Sequence, residues 1–275
     1  MTVASQPPRI RLAALAGAAD ADIDAVETAL LLATLQRPRR SIEPHLAHLA
    51  ALAAEVAEAG TAMAMGAEGR ALALATVLAD RHGFGGDDSE SCGATLIDLL
   101  RDRHGTPEAV GLLWLAVARR AGWRAEALAF PVHLLVRVED ESGGRVIVDP
   151  FAGGAAFDAP AMRAQLKAVC GAAAELEPGH HASLGARQLL IRLENASKLS
   201  LLRAGQVEAA LAVVEGVLLF APDQASLWRE AGMMHMRLDH MGEAVAALEQ
   251  FVVRTGNPQA RARTQALLAE LKGRM

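Results

Sequence analysis

Apolar positions recur at helical spacing from about residue 10 to residue 80. Two series show this spacing: Ile23, Val26 and Leu30, then Leu46, Leu49, Leu52 and Val56. Apolar residues three or four positions apart share one face of a helix, so each series predicts an amphipathic helix. Ser41 or Glu43 begins the second helix beside Pro44, because proline is tolerated in the first helical turn.

A third helix is predicted over residues 70–81, and Gly83 ends it. The glycine-rich stretch at residues 83–88 is interpreted as a loop. It resembles a phosphate-binding loop only faintly, because no strand precedes it and no Lys-Ser or Lys-Thr pair follows it. A short helix is then predicted over residues 95–103.

The middle of the chain contains the pattern of a long buried helix. Thr106, Pro107 and Glu108 form a typical helix start, with a threonine cap, a proline at the first position and an acidic residue in the first turn. The following residues, up to about Ala121, are apolar on most faces of the helix. Such a helix is expected to be buried on most sides.

After Gly122 the pattern changes to short apolar runs typical of strands. Three strands are predicted, with a hairpin loop at residues 140–144 between the last two: residues 125–130, 134–139 and 146–149. His133 is placed on an inner strand, and Asp149 at the end of the last strand. Gly153 and Gly154 are expected to form a tight turn. A buried helix followed by an antiparallel meander predicts an α+β fold.

The last third of the chain is helical again and contains a repeat. Residues 206–220 and 243–253 align with an offset of 34 residues, the length of a tetratricopeptide (TPR) repeat. In the second unit, the positions at which the two helices cross are occupied by Trp228, Gly232, Ala244 and Leu248. The first unit is degenerate, with Lys198 where a small residue is usual. Two units are fewer than a free-standing solenoid needs, so we expect them to pack on the preceding domain.

Composition narrows the classes of function. The 275 residues carry a net charge of −5 and no Tyr, 3 Trp and 6 Phe. Nucleic-acid binding is marked by a basic surface and stacked aromatic rings, so no nucleic-acid partner is predicted. The short basic cluster of Arg37, Arg39 and Arg40 is interpreted as a solvated loop.

The sequence also argues against membrane, metal and cofactor classes. Its apolar runs are too short for a membrane span, and residues 1–11 lack the apolar core of a signal peptide. We therefore expect no membrane partner and a cytoplasmic location. The two cysteines, Cys92 and Cys170, are too few for a disulfide framework or a zinc cluster. Because adjacent histidines such as His180 and His181 rarely ligate one ion, neither a metal nor a cofactor is predicted.

Five short segments occur in a characteristic order: residues 103–107 (RHGTP), 118–122 (ARRAG), 130–137 (FPVHLLVR), 149–154 (DPFAGG) and 189–195 (LLIRLEN). This ordered set resembles the transglutaminase-like superfamily, and within it the SirB-type bacterial proteins that couple such a core to C-terminal TPRs. No single segment is specific, but the resemblance extends over nearly the whole chain from residue 20 onward.

The resemblance implies an α+β fold with a cysteine-protease-like core, N-terminal helices and a C-terminal all-α TPR segment. We accordingly divide the chain into residues 1–80, a helical region packing on the core, residues 81–182, the core, and residues 183–275, the TPR-like repeats. The TPR surface is expected to bind a protein or peptide partner, or only to support the neighbouring domain. The oligomeric state is left open.

The resemblance also implies where a catalytic triad would lie. Active members place a cysteine at the start of the central helix, where the helix dipole and an imidazole stabilise the thiolate, and an aspartate orients that imidazole. His133 and Asp149 match the histidine and the aspartate. The cysteine position falls at Pro107, fifteen residues before Gly122. Proline has no nucleophile and no backbone N–H, and the resemblance implies that SirB-type proteins share this proline.

Three functional hypotheses follow from these residues. The first is a non-catalytic binding or regulatory protein that keeps His133 and Asp149 as a remnant of the triad. The second is a hydrolase or peptidase in which the two residues activate water or an unidentified nucleophile. The third is a TPR scaffold in which His133 serves stability alone. Neither cysteine is expected to be the nucleophile, since Cys92 lies in an acidic loop, which raises a thiol pKa, and Cys170 resembles a small buried hydrophobe.

Overall fold

The computed structural model describes residues 6–36, 41–62, 66–87, 89 and 93–274. Its helices are α1 (Pro8–Ala14), α2 (Ala25–Gln36), α3 (Glu43–Ala62), α4 (Ala67–Leu74), α5 (Leu96–Asp102), α6 (Pro107–Arg120), α7 (Ala159–Cys170), α8 (Ala186–Arg203), α9 (Val207–Phe220), α10 (Ala225–Arg237), α11 (Met241–Arg254) and α12 (Pro258–Arg274). Its strands are β1 (Gly85–Gly86), β2 (His104–Gly105), β3 (Arg124–Ala127), β4 (Val136–Glu139), β5 (Arg145–Asp149) and β6 (Ala155–Ala156).

The N-terminal region is helical, as the apolar spacing predicted. Helix α3 begins at Glu43, and α4 continues directly into a π-helical segment, Ala75–Arg81. The interpretation of residues 83–88 as a loop is wrong at its centre, because β1 pairs in parallel with β2 there. Two glycines have no side-chain pattern that could signal a strand, and their partner lies far along the chain. Asp88, like the basic cluster at residues 37–40, lies outside the described residues.

Helix α6 forms the centre of the fold. Thr106 caps it as predicted, its Oγ1 accepting a hydrogen bond from the Ala109 N–H at 3.4 Å. Every residue from Ala109 to Ala118 is buried, which confirms the predicted burial on most faces. Helices α3 and α5 and strands β3 and β4 all pack on α6.

The principal sheet is antiparallel, with strand order β3-β4-β5-β6. It confirms the predicted meander and adds β6, which is too short to show a pattern in the sequence. The first two predicted strands are longer than the observed ones, so the placement of His133 on a strand is wrong: His133 lies in the loop before β4. The loop closes where the Leu128 N–H donates to the Leu135 carbonyl at 3.0 Å, and Pro131 within it has no N–H to offer a neighbouring strand.

Helix α7 covers one end of the sheet. Its buried residues Met162 and Leu166 pack with Leu128, Phe130 and Leu135 in a small separate core. The expectation that Cys170 is buried is wrong, because the thiol is exposed. Cys170 is the last residue of α7, where the helix has already passed beyond this small core.

The C-terminal helices pair as TPR hairpins. Helix α10 packs closely on α11, because Gly232 leaves no room for a side chain: a Cβ there would lie 2.7 Å from Cγ of Leu248. This contact confirms the predicted crossing positions. Helix α9 packs in turn on α1 and α2, where Gly216 faces Leu32 and Leu35. The repeats therefore pack on the preceding part of the chain, as expected.

One hydrophobic cluster includes residues of the N-terminal helices, of α6, of the sheet and of the C-terminal helices α8, α9 and α10. The domain boundaries at residues 80 and 182 cross this cluster and stay predictions. Among the described residues, none of the helices combines the length and the apolar character that crossing a membrane requires.

Replacing Gly232 by alanine is expected to lower the free energy of unfolding by about 1–3 kcal/mol, because the added methyl group overpacks the contact with Leu248. Denaturant unfolding followed by circular dichroism measures the loss. Gly242→Ala is the matched control: Gly242 lies in α11 with nothing within 4 Å of a Cβ, and helix propensity favours alanine there. Equal losses in the two variants would contradict the close crossing of α10 and α11.

Candidate functional site

His133 and Asp149 lie together although sixteen residues separate them in the chain. The His133 Nδ1 donates to Asp149 Oδ2 across 2.7 Å. Asp149 is 1% exposed at the end of β5, and its Oδ1 accepts a hydrogen bond from the Phe151 N–H at 3.0 Å. Because β4 and β5 pair antiparallel, the start of β4 and the end of β5 lie side by side, and the two residues meet at that end of the sheet. The carboxylate thus fixes the orientation of the imidazole.

Two further side chains restrain the imidazole of His133. The Gln165 amide nitrogen, on α7, lies 2.9 Å from Nδ1 and 3.5 Å from Nε2. The Phe151 ring lies with its centroid 4.6 Å from that of the imidazole. Gly86 leaves no space for a side chain beside Phe151, so the β1 strand packs directly against this ring. His133 is consequently enclosed by a carboxylate, an amide and an aromatic ring.

The start of α6 lies close to the segment that carries His133. Gly111, one turn after Pro107, packs on Leu134, and a Cβ at Gly111 would lie 2.7 Å from Leu134 Cβ. Arg192 of α8 joins the same two parts of the chain. Its Nε bonds to Glu108 Oε1 at 3.1 Å, and its Nη1 donates to the carbonyl of Phe130.

Pro107 occupies the first position of α6. A side chain at this position would meet the positive end of the helix dipole, which is the environment that activates a thiol in a cysteine hydrolase. Proline supplies neither a nucleophile nor an N–H for an oxyanion. The arrangement therefore contains an oriented imidazole without an attacking group at the helix start.

Cys170 is the free cysteine among the residues that the structure describes. It follows Gln165, which contacts His133, by five residues on α7, and five residues rotate a helix by roughly 140°. The exposed thiol therefore points away from the imidazole. Cys92 lies outside the described residues, and the expectation that it is not the nucleophile stays a prediction.

No group of three or more His, Cys, Asp or Glu side chains is placed to hold a metal ion in the described part of the chain. His180 is engaged locally instead: its Nδ1 accepts from the Glu177 N–H at 3.1 Å, and its ring meets Phe130 edge-on. The turn predicted at Gly153 and Gly154 is confirmed by their positive φ angles of 74° and 85°.

A second candidate region lies among the C-terminal helices. A cavity of about 1110 Å³ opens between α8, α10 and the start of α12; we call it the C-terminal groove. Leu199 and Met233, two of its lining residues, are 40% and 47% exposed. A smaller cavity of about 280 Å³ lies between α8, α9 and α10. Lys198, Ser226 and Glu230 line both cavities.

Comparison with known families identifies the scaffold. Residues 43–195 match the profile of the transglutaminase-like superfamily, which is more than half of the 275 residues. The chain belongs to this superfamily. Residues 198–269 match the tetratricopeptide repeat, in agreement with the repeat of 34 residues seen in the sequence. The superfamily match begins inside the helical region that the sequence analysis separated as residues 1–80.

Curated bacterial relatives match about half of the chain. Protein SirB1 of Salmonella typhimurium is 27% identical over 154 residues, covering 56% of this chain and 57% of the relative. A UPF0162 protein of Xylella fastidiosa is 26% identical over 158 residues, covering 54% of each. The UPF0162 protein YchA of Escherichia coli K12 is 27% identical over 157 residues, covering 57% of this chain and 58% of the relative. The chain thus spans about half the length of the curated relatives it matches. No solved structure matches it.

Sequence reasoning missed Gln165 and the bridging role of Arg192. Gln165 lies 32 residues from His133 on a separate helix, and no spacing rule connects the two. Arg192 stood within a segment that carried the family resemblance, residues 189–195. No spacing in the sequence singled out Arg192 as a residue that joins two other parts of the chain.

Replacing Asp149 by alanine is expected to lower the free energy of unfolding by about 2–3 kcal/mol, because His133 Nδ1 and the Phe151 N–H lose a shared buried acceptor. Asp149→Asn keeps an oxygen for the Phe151 N–H and is expected to lose less. Urea unfolding measures both variants against Asp223→Ala, an exposed control that should stay within about 0.5 kcal/mol of wild type. An Asp149→Ala variant as stable as this control would contradict the restraining role of the carboxylate.

Proposed function

We propose that this chain is a binding or regulatory protein that engages a protein or peptide partner through the C-terminal groove. The groove carries the proposal. Its lining combines exposed Met233 and Leu199 with the charged side chains of Arg229 and Arg237. Flexible methionine side chains adapt to different partner surfaces, and TPR helices commonly present concave binding surfaces. A cytoplasmic location stays a prediction from the sequence.

The proline at position 107 of the superfamily domain also supports this proposal. Thiol-based acyl transfer needs a nucleophile at the start of the central helix, and Pro107 cannot supply one. The restrained His133 and Asp149 pair then serves to hold the loop before β4 on the sheet. A domain of this kind presents the groove at a fixed position and needs no substrate of its own.

Replacing Met233 by glutamate is expected to weaken peptide binding at least about tenfold, or about 1.4 kcal/mol, because the substitution places a charge on an apolar contact. Peptides are first selected by phage display on the full chain, and their dissociation constants are then measured by fluorescence anisotropy. Val253→Glu is the matched control, since Val253 is 75% exposed on α11 and does not line the groove.

Two results would overturn the groove proposal. One is that the selected peptides bind Met233→Glu and wild type equally. The other is that selection on the wild-type chain enriches no peptide that selection on the Met233→Glu variant does not also enrich. A loss of binding in both Met233→Glu and Val253→Glu would likewise count against it, because the effect would not be specific to the groove.

A hydrolase or peptidase remains the second candidate, and the 2.7 Å contact between His133 and Asp149 favours it. An imidazole oriented by a buried carboxylate is the usual general base for a nucleophile or a water molecule. Thiol-reactive and acyl-phosphonate probes distinguish the candidates. Labelling of the wild-type chain that is lost in His133→Ala supports the enzyme, whereas labelling independent of His133 supports the binding protein.

Replacing Pro107 by cysteine is expected to create a thiol that iodoacetamide alkylates about tenfold faster at pH 7 than Cys170, because the helix dipole and the nearby imidazole favour the thiolate. Mass spectrometry of timed samples gives the rate at each cysteine in one experiment. Adding His133→Ala should slow the new thiol and leave Cys170 unchanged. A new thiol that reacts no faster than Cys170 would show that the helix start and His133 do not share a site.

A further inference from the structure

Glu194 is a buried acidic residue that the site described above does not use. It lies on α8, is 2% exposed, and lines the cavity of about 280 Å³ between α8, α9 and α10; we call this the Glu194 cavity. Its carboxyl group has no hydrogen bond or ion pair with another described residue. Burying an unpaired carboxyl group is costly to a folded protein, and a complementary ligand in the cavity would offset that cost.

The other charged residues that line the Glu194 cavity are already paired. Lys198 of α8 binds Glu230 of α10, with Nζ 2.6 Å from Oε2. Arg192 of α8 is held by Glu108 of α6 and the Phe130 carbonyl. The wall contributed by α9 is aliphatic, formed by Val213, Val214 and Val217. Among the lining residues, Glu194 is therefore the carboxyl group that lacks a counter-ion.

The electrostatic state of Glu194 follows from this environment. Burial raises the pKa of Glu194 from 4.5 to about 8, and no neighbouring charge opposes the shift. The group is neutral in the empty cavity at pH 7. A cation entering the cavity would supply the missing counter-ion, lower that pKa and release the proton.

The shape and lining of the cavity select the kind of cation. Its remaining walls include the aliphatic side chains of Leu184, Ile191 and Leu227. A lysine side chain fits such a site, because its four-carbon stem packs on apolar walls while its ammonium group reaches a carboxylate. A planar guanidinium group can also bind a single carboxylate through both of its oxygens, so arginine is the competing side chain that the test must exclude.

The cavity adjoins the C-terminal groove. Lys198, Ser226 and Glu230 line both, and the Lys198–Glu230 ion pair stands at the boundary between them. A peptide lying in the groove could therefore extend one side chain past this ion pair. We propose that the Glu194 cavity binds a lysine side chain of the partner peptide, with Glu194 as the counter-ion. This inference rests on the proposed function of the groove.

The proposal predicts a specific dependence of affinity on pH. Binding requires the ionised carboxylate, and Glu194 is protonated in the free chain below pH of about 8. Affinity for a lysine ligand should thus rise about tenfold for each pH unit between pH 6 and pH 7 and level off above the pKa. Groups paired before binding, such as Lys198 with Glu230, do not produce this slope.

The experiment uses the full chain and Nα-acetyl-lysine methylamide as the probe, titrated by NMR at pH 6, 7 and 8.5. We expect Glu194→Gln to weaken binding at pH 8.5 at least tenfold and to abolish the pH dependence. Glu208→Gln, an exposed control on α9, should bind as wild type does. The norleucine analogue, which lacks the ammonium group, should not bind.

The pH dependence of the stability of Glu194→Gln shows whether this variant folds. The raised pKa means that the folded wild-type chain loses stability as pH rises from 4.5 toward about 8. The glutamine variant lacks this group and should not show that fall. A folded variant therefore separates lost binding from lost structure.

Several outcomes would overturn the lysine assignment. They are unchanged probe binding in Glu194→Gln, equal affinity at pH 6 and pH 8.5, tighter binding of the arginine analogue, or tighter binding of spermidine, which would identify a free polyamine as the ligand. If groove-selected peptides still depend on Met233 in such a case, the proposed function stands and only the lysine assignment fails. If no peptide binds the groove, the proposed function fails, and the probe titration alone decides whether the cavity binds an ammonium group.

Discussion

The enclosure of helix α6 is the constraint on which the rest of this structure depends. Every residue from Ala109 to Ala118 is buried, and an apolar helix of this kind needs cover around most of its circumference. Strands β3 and β4 of the sheet and helices α3, α5 and α8 supply this cover. Elements far apart in the chain are therefore held in one core. They include helices that precede the strands of the sheet in the sequence and helices that follow them.

The same constraint places the two candidate regions near one another. The start of α6 lies against the loop that carries His133, because Gly111 lets Leu134 pack on the helix. Arg192 then ties this start to α8 through Glu108 and the Phe130 carbonyl. Two residues further along α8, Glu194 lines the cavity beside the C-terminal groove. One helix thus borders both the superfamily core and the TPR surface.

The two regions differ in what they offer a ligand. At His133 the imidazole and the buried carboxylate of Asp149 satisfy each other through a hydrogen bond, although the Gln165 amide oxygen beside them has no hydrogen-bond partner. At Glu194 a buried carboxyl group faces an open cavity without a counter-ion. Satisfied groups stabilise a fold, whereas an unsatisfied buried group favours binding of a complementary partner. This contrast is part of the support for the proposed binding role of the groove and of the cavity beside it.

The sequence by itself determined most of the helices, the fold class and the family, but it did not reveal α7. Thr106 and Pro107 marked the start of α6, the apolar spacing marked α2 and α3, and the repeat of 34 residues marked the TPR hairpins. It also brought His133 and Asp149 forward as a pair, through the resemblance of their segments. These features depend on local patterns or on the order of segments along the chain. Both can be recognised from the sequence without knowledge of the fold.

Only the tertiary structure decided the partners of particular side chains. In the structure His133 lies in a loop and not on a strand, and Cys170 is exposed. Strand β1 pairs with β2, and Gln165 contacts an imidazole 32 residues away in the chain. The tertiary structure also leaves Glu194 without a counter-ion at a cavity wall. Spacing along a chain reports which face of an element is apolar. Which groups meet across that face depends on strand register, helix length and packing between elements, and these are settled when the whole core closes around α6.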